Sequence, residues 1–528
     1  MGIPGYFSHI IKNYPAIIKK LEKNQKIDNL YLDSNSIIYD VLREIHDEYN
    51  NDDASFEIKL INGIIEKLEY YINVVKPLKT VYIAFDGVAP YAKLEQQRNR
   101  RYKSQLEKKV KNKLCETHTK EWDKTAITPG TEFMKKLSLI KSYFTKLKDP
   151  RTFIISGVDE PGEGEHKIFQ YIRDNYVKHK IETTVIYGLD ADLIVLCLNH
   201  LPVVHDIYLY RETPEFVKSI NRELEPNADY ILNIAELARG IIAKMNGMAN
   251  ANAMANANTN IPFHKSHQKN RLYDYILLTF FLGNDFMPHF PSMCIRTNGI
   301  DILENAYKHL FGNTNKNLCN GTKIYWENLR EFIEFLAKHE YDNLLKEYKI
   351  REKWGKRQYK NNTMEEKMMK WLNIPTKMRD KELLIDPYSK GWEKRYYKEL
   401  FYIDINQYYK KQICVNYLEG LEWTMKYYTV GCKDTKWFYK YNYPPLLSDL
   451  LKYIPMWDIN LIDSSNVDFL TPEEQLAYVL PKDSLHLLPK KIRERQLKEH
   501  GDYYNANHEI CWAFCKYFWE SHVLFSHY

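Results

Sequence analysis

Two stretches decide how this chain is read: Phe153-Ile154-Ile155-Ser156-Gly157-Val158-Asp159-Glu160-Pro161-Gly162-Glu163-Gly164-Glu165-His166-Lys167, and Thr184-Val185-Ile186-Tyr187-Gly188-Leu189-Asp190-Ala191-Asp192. Each begins with a short β-branched run that closes near glycine, the pattern of a buried strand. Between them, Lys167 to Lys178 sets Ile168, Tyr171, Ile172 and Tyr176 at helical spacing, with Pro161 just upstream. The unit is therefore strand–helix–strand. In open α/β sheets, ligands sit outside the carboxyl ends of the strands. The pairs Glu163/Glu165 and Asp190/Asp192 both fall there. Four carboxylates at one sheet edge repel one another unless something positive stands among them. A divalent cation with hard oxygen ligands meets that need.

Outward from this unit the same design repeats. Asn29 to Asp33 is a short strand ending in an acid, and Ser34 to Tyr49 turns helical. Phe56 to Val75 is a longer amphipathic helix. Thr80 to Phe85 is a strand followed by Asp86 and Gly87, and a basic helix runs from Tyr91 to Leu114. Thr128-Pro129 predicts a helix start, with Thr as N-cap and Pro at the first helical position. Asp206 to Tyr210 reads as a further strand. The apolar helical run Leu272 to Leu282 stops at Gly283-Asn284-Asp285-Phe286-Met287-Pro288, which adds an acid beside two helix breakers. Strands alternating with helices predict an α/β fold, a mostly parallel central sheet flanked by helices.

Residues 1–300 read as this core. Met248 to Asn260 is a low-complexity Ala/Asn/Met tract inside an insertion spanning about 245–268, expected to be a disordered surface segment. Residues 301–380 read as a charged helical connector. Residues 381–528 form a second region dense in aromatics, among them Trp392, Tyr396, Trp423, Tyr427, Trp437 and Tyr443.

Composition narrows the classes. At 528 residues the chain has room for two or three domains with a sizeable core. A net charge of +6 is only mildly basic, so the placement of charge matters more than its total. With 42 Tyr, 22 Phe and 10 Trp, some rings are expected to line a groove. No apolar run reaches the ~18 residues of a membrane helix. The eight cysteines show no regular pairing and fit a reducing compartment. Cys511 and Cys515, with His508 and His522 nearby, hint at zinc, against the plainer reading of buried thiols. The N-terminus has neither a signal-peptide layout nor the Ser or Thr at position 6 that myristoylation favours.

Collected, the candidate acids are Asp33, Asp86, Glu163, Glu165, Asp190, Asp192 and Asp285, each following an apolar element. Any one of them alone would more simply cap a helix or close a turn. As a set they suit two Mg²⁺ or Mn²⁺ ions roughly 3.5–4 Å apart, one activating water and the other steadying the leaving oxygen. On the basic helix, Lys93, Gln97, Arg100 and Arg101 recur at i, i+4, i+7 and i+8, one stripe roughly 100° wide. Such a stripe beside Asp86 suits a terminal phosphate. The alternative is a solvated charged face, since Arg98, Lys103, Lys108 and Lys109 share the segment.

Several longer motifs occur in a fixed order: Met1-Gly2-Ile3-Pro4, Asp86-Gly87-Val88-Ala89-Pro90-Tyr91-Ala92-Lys93 continuing through Gln96-Gln97-Arg98, and Ile127-Thr128-Pro129-Gly130-Thr131-Glu132-Phe133. Further on come Pro161 to Lys167, Tyr187 to Asp192, Gly283 to Phe286, Glu419-Gly420-Leu421-Glu422-Trp423, and Leu480-Pro481 through His486-Leu487-Leu488-Pro489. Together, over most of the chain, they resemble the Xrn family of 5′→3′ exoribonucleases. The resemblance implies a PIN/FEN-like nuclease core on which the second region packs, narrowing the entrance. It makes the seven acids the metal-binding catalytic set, with two Mg²⁺ or Mn²⁺ ions, and Lys93, Gln97, Arg100 and Arg101 the pocket for a 5′-monophosphate. It assigns stacking on the first base to Tyr39, where the family usually has His, and to Trp437, with Trp423 as runner-up. Tyr39 stacks but carries no switchable proton, so a His-specific role is not expected.

The short segment before Thr128 implies a curtailed protruding helix. The chain is expected to be a minimal catalytic core, without the C-terminal extension of large cytoplasmic relatives or the zinc knuckle of nuclear ones. The implied activity is processive hydrolysis of single-stranded RNA from a 5′-monophosphate end. The enzyme is expected to be a monomer with no membrane association. Its compartment is expected to be the cytoplasm, or a host cytoplasm if the chain is viral, with a nuclear setting left open. Two other readings are a structure-specific flap or DNA exonuclease and a catalytically dead RNA-binding scaffold. The aromatic second region and the phosphate stripe argue against the first, and the presence of all seven acids against the second.

Overall fold

The β-branched runs assemble into one seven-stranded sheet in the computed structural model, which describes residues 3, 5–22, 24–115, 121–204, 206–211, 225, 228–247, 266–462 and 466–525. Its strands are β1 (Ile18–Lys20), β2 (Asn29–Asp33), β3 (Thr80–Ala84), β4 (Thr152–Ser156), β5 (Thr183–Tyr187), β6 (Asp206–Tyr210) and β7 (Tyr230–Asn233). They lie in the order β1-β7-β6-β5-β2-β3-β4. From β4 to β6 every pairing is parallel. β7 runs antiparallel to both of its neighbours, β6 and β1. Neither β1 nor β7 is predicted from the sequence, because three or four residues carry no readable period and form strands here only by extending the sheet, β7 on β6 and β1 on β7.

The helices that matter below are α1 (Asn35–Ile45), α2 (Asp53–Val75), α3 (Tyr91–Cys115), α4 (Gly164–Asp174), α5 (Asp192–His200), α6 (Ser266–Phe280), α7 (Trp326–Lys356) and α8 (Gln407–Val430). Parallel strands need both faces covered, and here they are. Tyr31, Tyr82 and Ile186 face the larger core, shared with Ile168 and Phe169 of α4, Val195 of α5, Ile276 of α6 and Leu421 of α8. Leu30, Leu32, Val81 and Ile83 point the other way, onto Ile37 and Ile38 of α1 and Leu60 and Ile64 of α2. Each such side chain contributes about 1.5–3 kcal/mol when buried. In the stretch read as a connector, α7 places Leu329, Phe332, Ile333 and Leu336 in the same larger core.

Strand order positions the site. The chain steps from β2 out to β3 and β4, then returns to lay β5 on the opposite side of β2. At such a reversal the connections leave the two strand ends in opposite directions and open a crevice between them. The crevice here lies between Asp33, the last residue of β2, and the Gly188–Asp190 turn after β5.

Two local expectations need correction. The helix expected at Thr128-Pro129 begins at Glu132, with Thr131 as its N-cap, accepting from the Met134 amide at 3.3 Å. Gly130 stands between them at φ +98°, a left-handed conformation that no right-handed helix passes through. The helix placed at Lys167 to Lys178 starts earlier, at Gly164, and breaks at Asn175, whose side-chain amide donates to the Tyr171 carbonyl. Met248 to Asn260, read as a disordered insertion, lies outside the described residues. Among the described residues, no helix is long and apolar enough to cross a membrane. Cys511 and Cys515 are buried free thiols, Cys511 within 3.1 Å of the Tyr443 hydroxyl and Cys515 donating to backbone carbonyls.

Candidate active site

Parallel pairing brings the carboxyl ends of β2, β3, β4 and β5 to one edge, and the acids follow from that. Asp33 closes β2 and Asp86 lies two residues past β3. Glu163 is the N-cap of α4 and Glu165 lies in its first turn, while Asp192 opens α5 and Asp190 precedes it. Asp285 comes from elsewhere, the turn after α6. The exposed amides at the starts of α4 and α5 favour negative charge there. One of them is used directly: the Gly164 amide donates to Asp86 Oδ1 at 2.7 Å. A methyl group on Gly164 would lie 2.7 Å from Asp33 Oδ1 and 3.4 Å from Asp86 Oδ1, so only glycine lets the helix start this close to both carboxylates. Asn35 fixes Asp86 from the other side, donating to Oδ2 at 2.6 Å and accepting from the Asp86 amide at 3.1 Å.

At the centre stands Lys93. Its ammonium ion-pairs with Glu163 and, at 2.8 Å, with Asp285. Against the cost of burial, Asp285 and Glu163 hold that lysine protonated. The second oxygen of Glu163 accepts from the Tyr427 hydroxyl of α8 at 2.8 Å. The Tyr427 ring in turn stacks on His166, 3.7 Å between centroids and 18° from parallel. Glu163 is thus held between a lysine of the core and a tyrosine of the second region.

The charges of the acids are mutually felt. Burial, then Asp86 and Asp190, push Asp33 well above the usual carboxylate range. Burial and the neighbouring Glu163 do the same to Glu165, with Lys93 pulling back. Asp192 is pushed up to about 7, first by burial and then by Asp285, with Asp190 adding to it. Burial would raise Asp285 as well, but the positive charges around it, Lys93 foremost and Arg100 among them, together hold that carboxyl low. All seven candidates therefore belong to one electrostatic cluster, with the buried ammonium of Lys93 among them. Glu165 Oε2 and Asp192 Oδ1 are buried with no hydrogen-bond partner. Buried polar atoms are rarely left so, and carboxylate oxygens without donors suit a cation. An all-oxygen donor set fits a hard divalent ion better than zinc. Among the described residues, no three such side chains already stand closed around a single point. Lys93 occupies the middle instead.

The stripe on α3 splits in two. Lys93 turns to the acids, as above. Arg101 is buried and donates to Thr128 Oγ1 at 2.5 Å, while its Nε has no partner. Burial and the adjacent Arg100 lower its pKa to about 10, so it stays charged at neutral pH. Gln97 is buried, with its Oε1 unpartnered. Arg100 is half-buried and close enough to Asp285 to help hold it ionised. Tyr39, half-buried on α1, packs against the core beneath and lies near Arg101. Trp437 is 8% exposed, its ring stacked on Trp423 at 5.1 Å and its Nε1 donating to Glu419 at 3.3 Å. Trp423 is more deeply buried and donates to the Asp434 carbonyl. No ring contact joins Tyr39 and Trp437 among the described residues.

Sequence reasoning misses Asn35, Tyr427 and the role of Lys93 as counter-ion. Asn35 opens α1 just after Asp33-Ser34 and carries no signal in the sequence that sets it apart. Tyr427 is visible only as one ring among many; its place one turn after Trp423 on α8 is the signal.

Residues 1–213 match the family model described as XRN 5′-3′ exonuclease N-terminus, and residues 266–383 and 376–502 match the Xrn1 helical domain. The chain belongs to the XRN 5′-3′ exonuclease family. Curated relatives agree along nearly the whole of it. The 5′-3′ exoribonuclease 2 of Arabidopsis thaliana is 25% identical over 98% of this chain and 65% of its own length. The 5′-3′ exoribonuclease 1 of Homo sapiens is 29% identical over 93% of this chain and 31% of its own. That of Saccharomyces cerevisiae is 27% identical over 100% and 42%. This XRN chain therefore spans between 31% and 65% of the length of these relatives.

Proposed function

We propose that this chain is a metal-dependent 5′→3′ exoribonuclease that digests single-stranded RNA from a 5′-monophosphate end. The observation that carries the reading is the cluster of seven carboxylates, with the cationic stripe of α3, including the unpartnered Nε of Arg101, beside it. In this reading Asp33, Asp86, Glu163, Glu165, Asp190, Asp192 and Asp285 hold two Mg²⁺ or Mn²⁺ ions. When bound, such ions supply Lewis-acid activation of water and neutralise charge at the leaving oxygen.

The side chains do the rest. Gln97, Arg100 and Arg101 receive the terminal phosphate, and Lys93 is placed to bridge that phosphate and the acids. Charge-assisted bonds from a planar guanidinium suit a phosphate with free oxygens. Anchoring the terminal phosphate fixes which bond lies over the carboxylates, and this makes the reaction exonucleolytic. Water adds to the first internal phosphorus, and the bond to the 3′-oxygen of the terminal nucleotide breaks. The products are a nucleoside 5′-monophosphate and an RNA that again begins with a 5′-phosphate. Because the new end reproduces the old one, the strand can advance without being released. Tyr39 and Trp437 flank the first base, where stacking on an aromatic ring contributes about 1–3 kcal/mol per base regardless of sequence. Trp437 does so through the small part of its ring that Trp423 leaves uncovered. The same reading makes the enzyme a monomer of a reducing compartment, the cytoplasm or a host cytoplasm with the nucleus left open, consistent with the free cysteines among the described residues.

The test is digestion of RNA carrying a labelled 5′-monophosphate, with and without Mg²⁺. The expected first product is the labelled nucleoside monophosphate, formed only with metal and abolished by EDTA. Internal fragments, or equal digestion of single-stranded DNA, would overturn the assignment.

A further inference from the structure

A cavity of about 1010 Å³ adjoins the acids. It is as large as the roomiest small-molecule sites. One wall is α3, through Gln96, Asn99, Arg100 and Lys103, which recur at i, i+3, i+4 and i+7 and so form one face. This face borders the phosphate stripe, and Arg100 belongs to both. The opposite walls are the turn carrying Asp285 and a row of rings after α8, Phe438, Tyr439 and Tyr441. Lys440 and Tyr402 on the same lining are exposed, Tyr402 by 47%, so the space runs from the acids out to solvent.

Its position relative to the bound nucleotide is informative. With the terminal phosphate on the stripe and the scissile bond over the acids, the remaining RNA extends away from the stripe. Of the seven acids only Asp285 lines the cavity, and neither Tyr39 nor Trp437 does, whereas Arg100 does. The cavity therefore opens behind the terminal nucleotide, on its phosphate side. We infer that it is the exit chamber for the released nucleoside 5′-monophosphate, an inference that rests on the proposed direction of digestion.

The chemistry of the lining fits a passage rather than a store. Tyr441, Phe438 and Trp354 offer faces on which any base can stack. Several of the cations are already held in place. Lys103 donates to the carbonyls of Trp519 and Ser521 at 2.6 Å, Arg296 pairs with Glu520 at 2.6 Å, and Arg351 is paired with Glu382. These three are already committed, so a phosphate passing them is held only weakly. A conduit works when binding is favourable enough to enter and weak enough to leave. Arg100 at the inner end and exposed Lys440 at the outer end give a released phosphate a charge to leave and a charge to reach. Escape by this route leaves the strand's own path clear, so the released nucleotide and the advancing strand do not compete for one passage.

Two variants test the chamber, Asn442→Trp to plug it and Lys440→Glu to reverse the charge at its mouth. The second lies on an exposed side chain and serves if the first fails to fold. AMP is titrated into the metal-free full chain and followed by ligand-observed NMR, which decides the point whether or not RNA is cut. Wild type is expected to bind AMP weakly, with Kd of about 1 mM, and each variant at least about fivefold more weakly. Unchanged AMP binding in both variants overturns the inference. On long 5′-monophosphorylated RNA with Mg²⁺, Asn442→Trp is expected to slow steady-state nucleotide release about fivefold. The first cleavage in a single turnover and the KM for RNA should hold. A rise in KM with a matching loss of the first cleavage would instead make the cavity the entrance for RNA, and so also overturn it.

Discussion

The sheet edge and α8 meet the site in opposite ways. The sheet edge supplies charge: its carboxylates are buried, crowded and mutually repelling, and their acidities are displaced for those reasons. The second region supplies no acid to the cluster. It brings rings and a hydroxyl, Tyr427 on Glu163 across 264 residues of sequence, with Trp423 of the same helix packed on that tyrosine and Phe286 of the core meeting it. Reactive groups that repel each other need neutral scaffolding to hold their geometry, and here that scaffolding is contributed by a part of the chain with no acid of its own in the cluster. The comparison explains why neither half is expected to be an enzyme by itself.

The largest expected effect falls on the charged side. Asp192→Asn should lower kcat more than about a thousandfold, roughly 4 kcal/mol of lost barrier reduction, with RNA binding retained in a filter assay. Because it removes a buried carboxylate that burial and neighbouring acids disfavour and whose Oδ1 has no hydrogen-bond partner, its metal-free form should melt no lower than wild type in calorimetry. A clear drop in melting temperature would make Asp192 structural. Next comes the neutral side. Tyr427→Phe deletes a hydrogen bond to a carboxylate, worth about 1.5–3 kcal/mol, and should cost roughly tenfold to a hundredfold in kcat with a higher Mg²⁺ requirement. Full activity at ordinary Mg²⁺ would reduce the second region to a passive cover. Arg100→Ala should then narrow the preference for 5′-monophosphate over 5′-hydroxyl RNA by about tenfold, equivalent to one charge-assisted contact. An unchanged ratio of the two rates would remove Arg100 from the phosphate pocket. The smallest change is Thr128→Val, which takes away an acceptor of Arg101. It should raise KM about two- to fivefold, close to 1 kcal/mol, and leave kcat alone.

What the sequence reveals tracks the range over which the controlling contact acts. An apolar run followed by an acid is a local pattern, so β2 to β6 and all seven carboxylates are readable directly. β1 and β7 are not, because each is three or four residues long and forms only through a partner distant in sequence, β7 for β1 and β6 and β1 for β7. The helix misplaced at Thr128-Pro129 shows a strong local signal overruled by one residue, Gly130, whose left-handed backbone holds the helix off until Glu132. Lys93 shows a subtler limit. Helical spacing correctly aligns it with Gln97, Arg100 and Arg101, but spacing gives direction along α3 and not the neighbour it meets there. That neighbour is a pair of acids drawn from α4 and from the turn after α6. Trp437 is similar: its type suits stacking, and only the fold reveals how much of its face α8 already covers.

Lys93 has one last implication. A dissolved ion comes and goes with its concentration, whereas an ammonium attached to the backbone arrives with the polypeptide and stays. By carrying a resident counter-charge, the chain can bring its acidic edge together without waiting for the metal ions that the proposed function requires. Folding and arming then become separate events, and the second can be reversed without undoing the first.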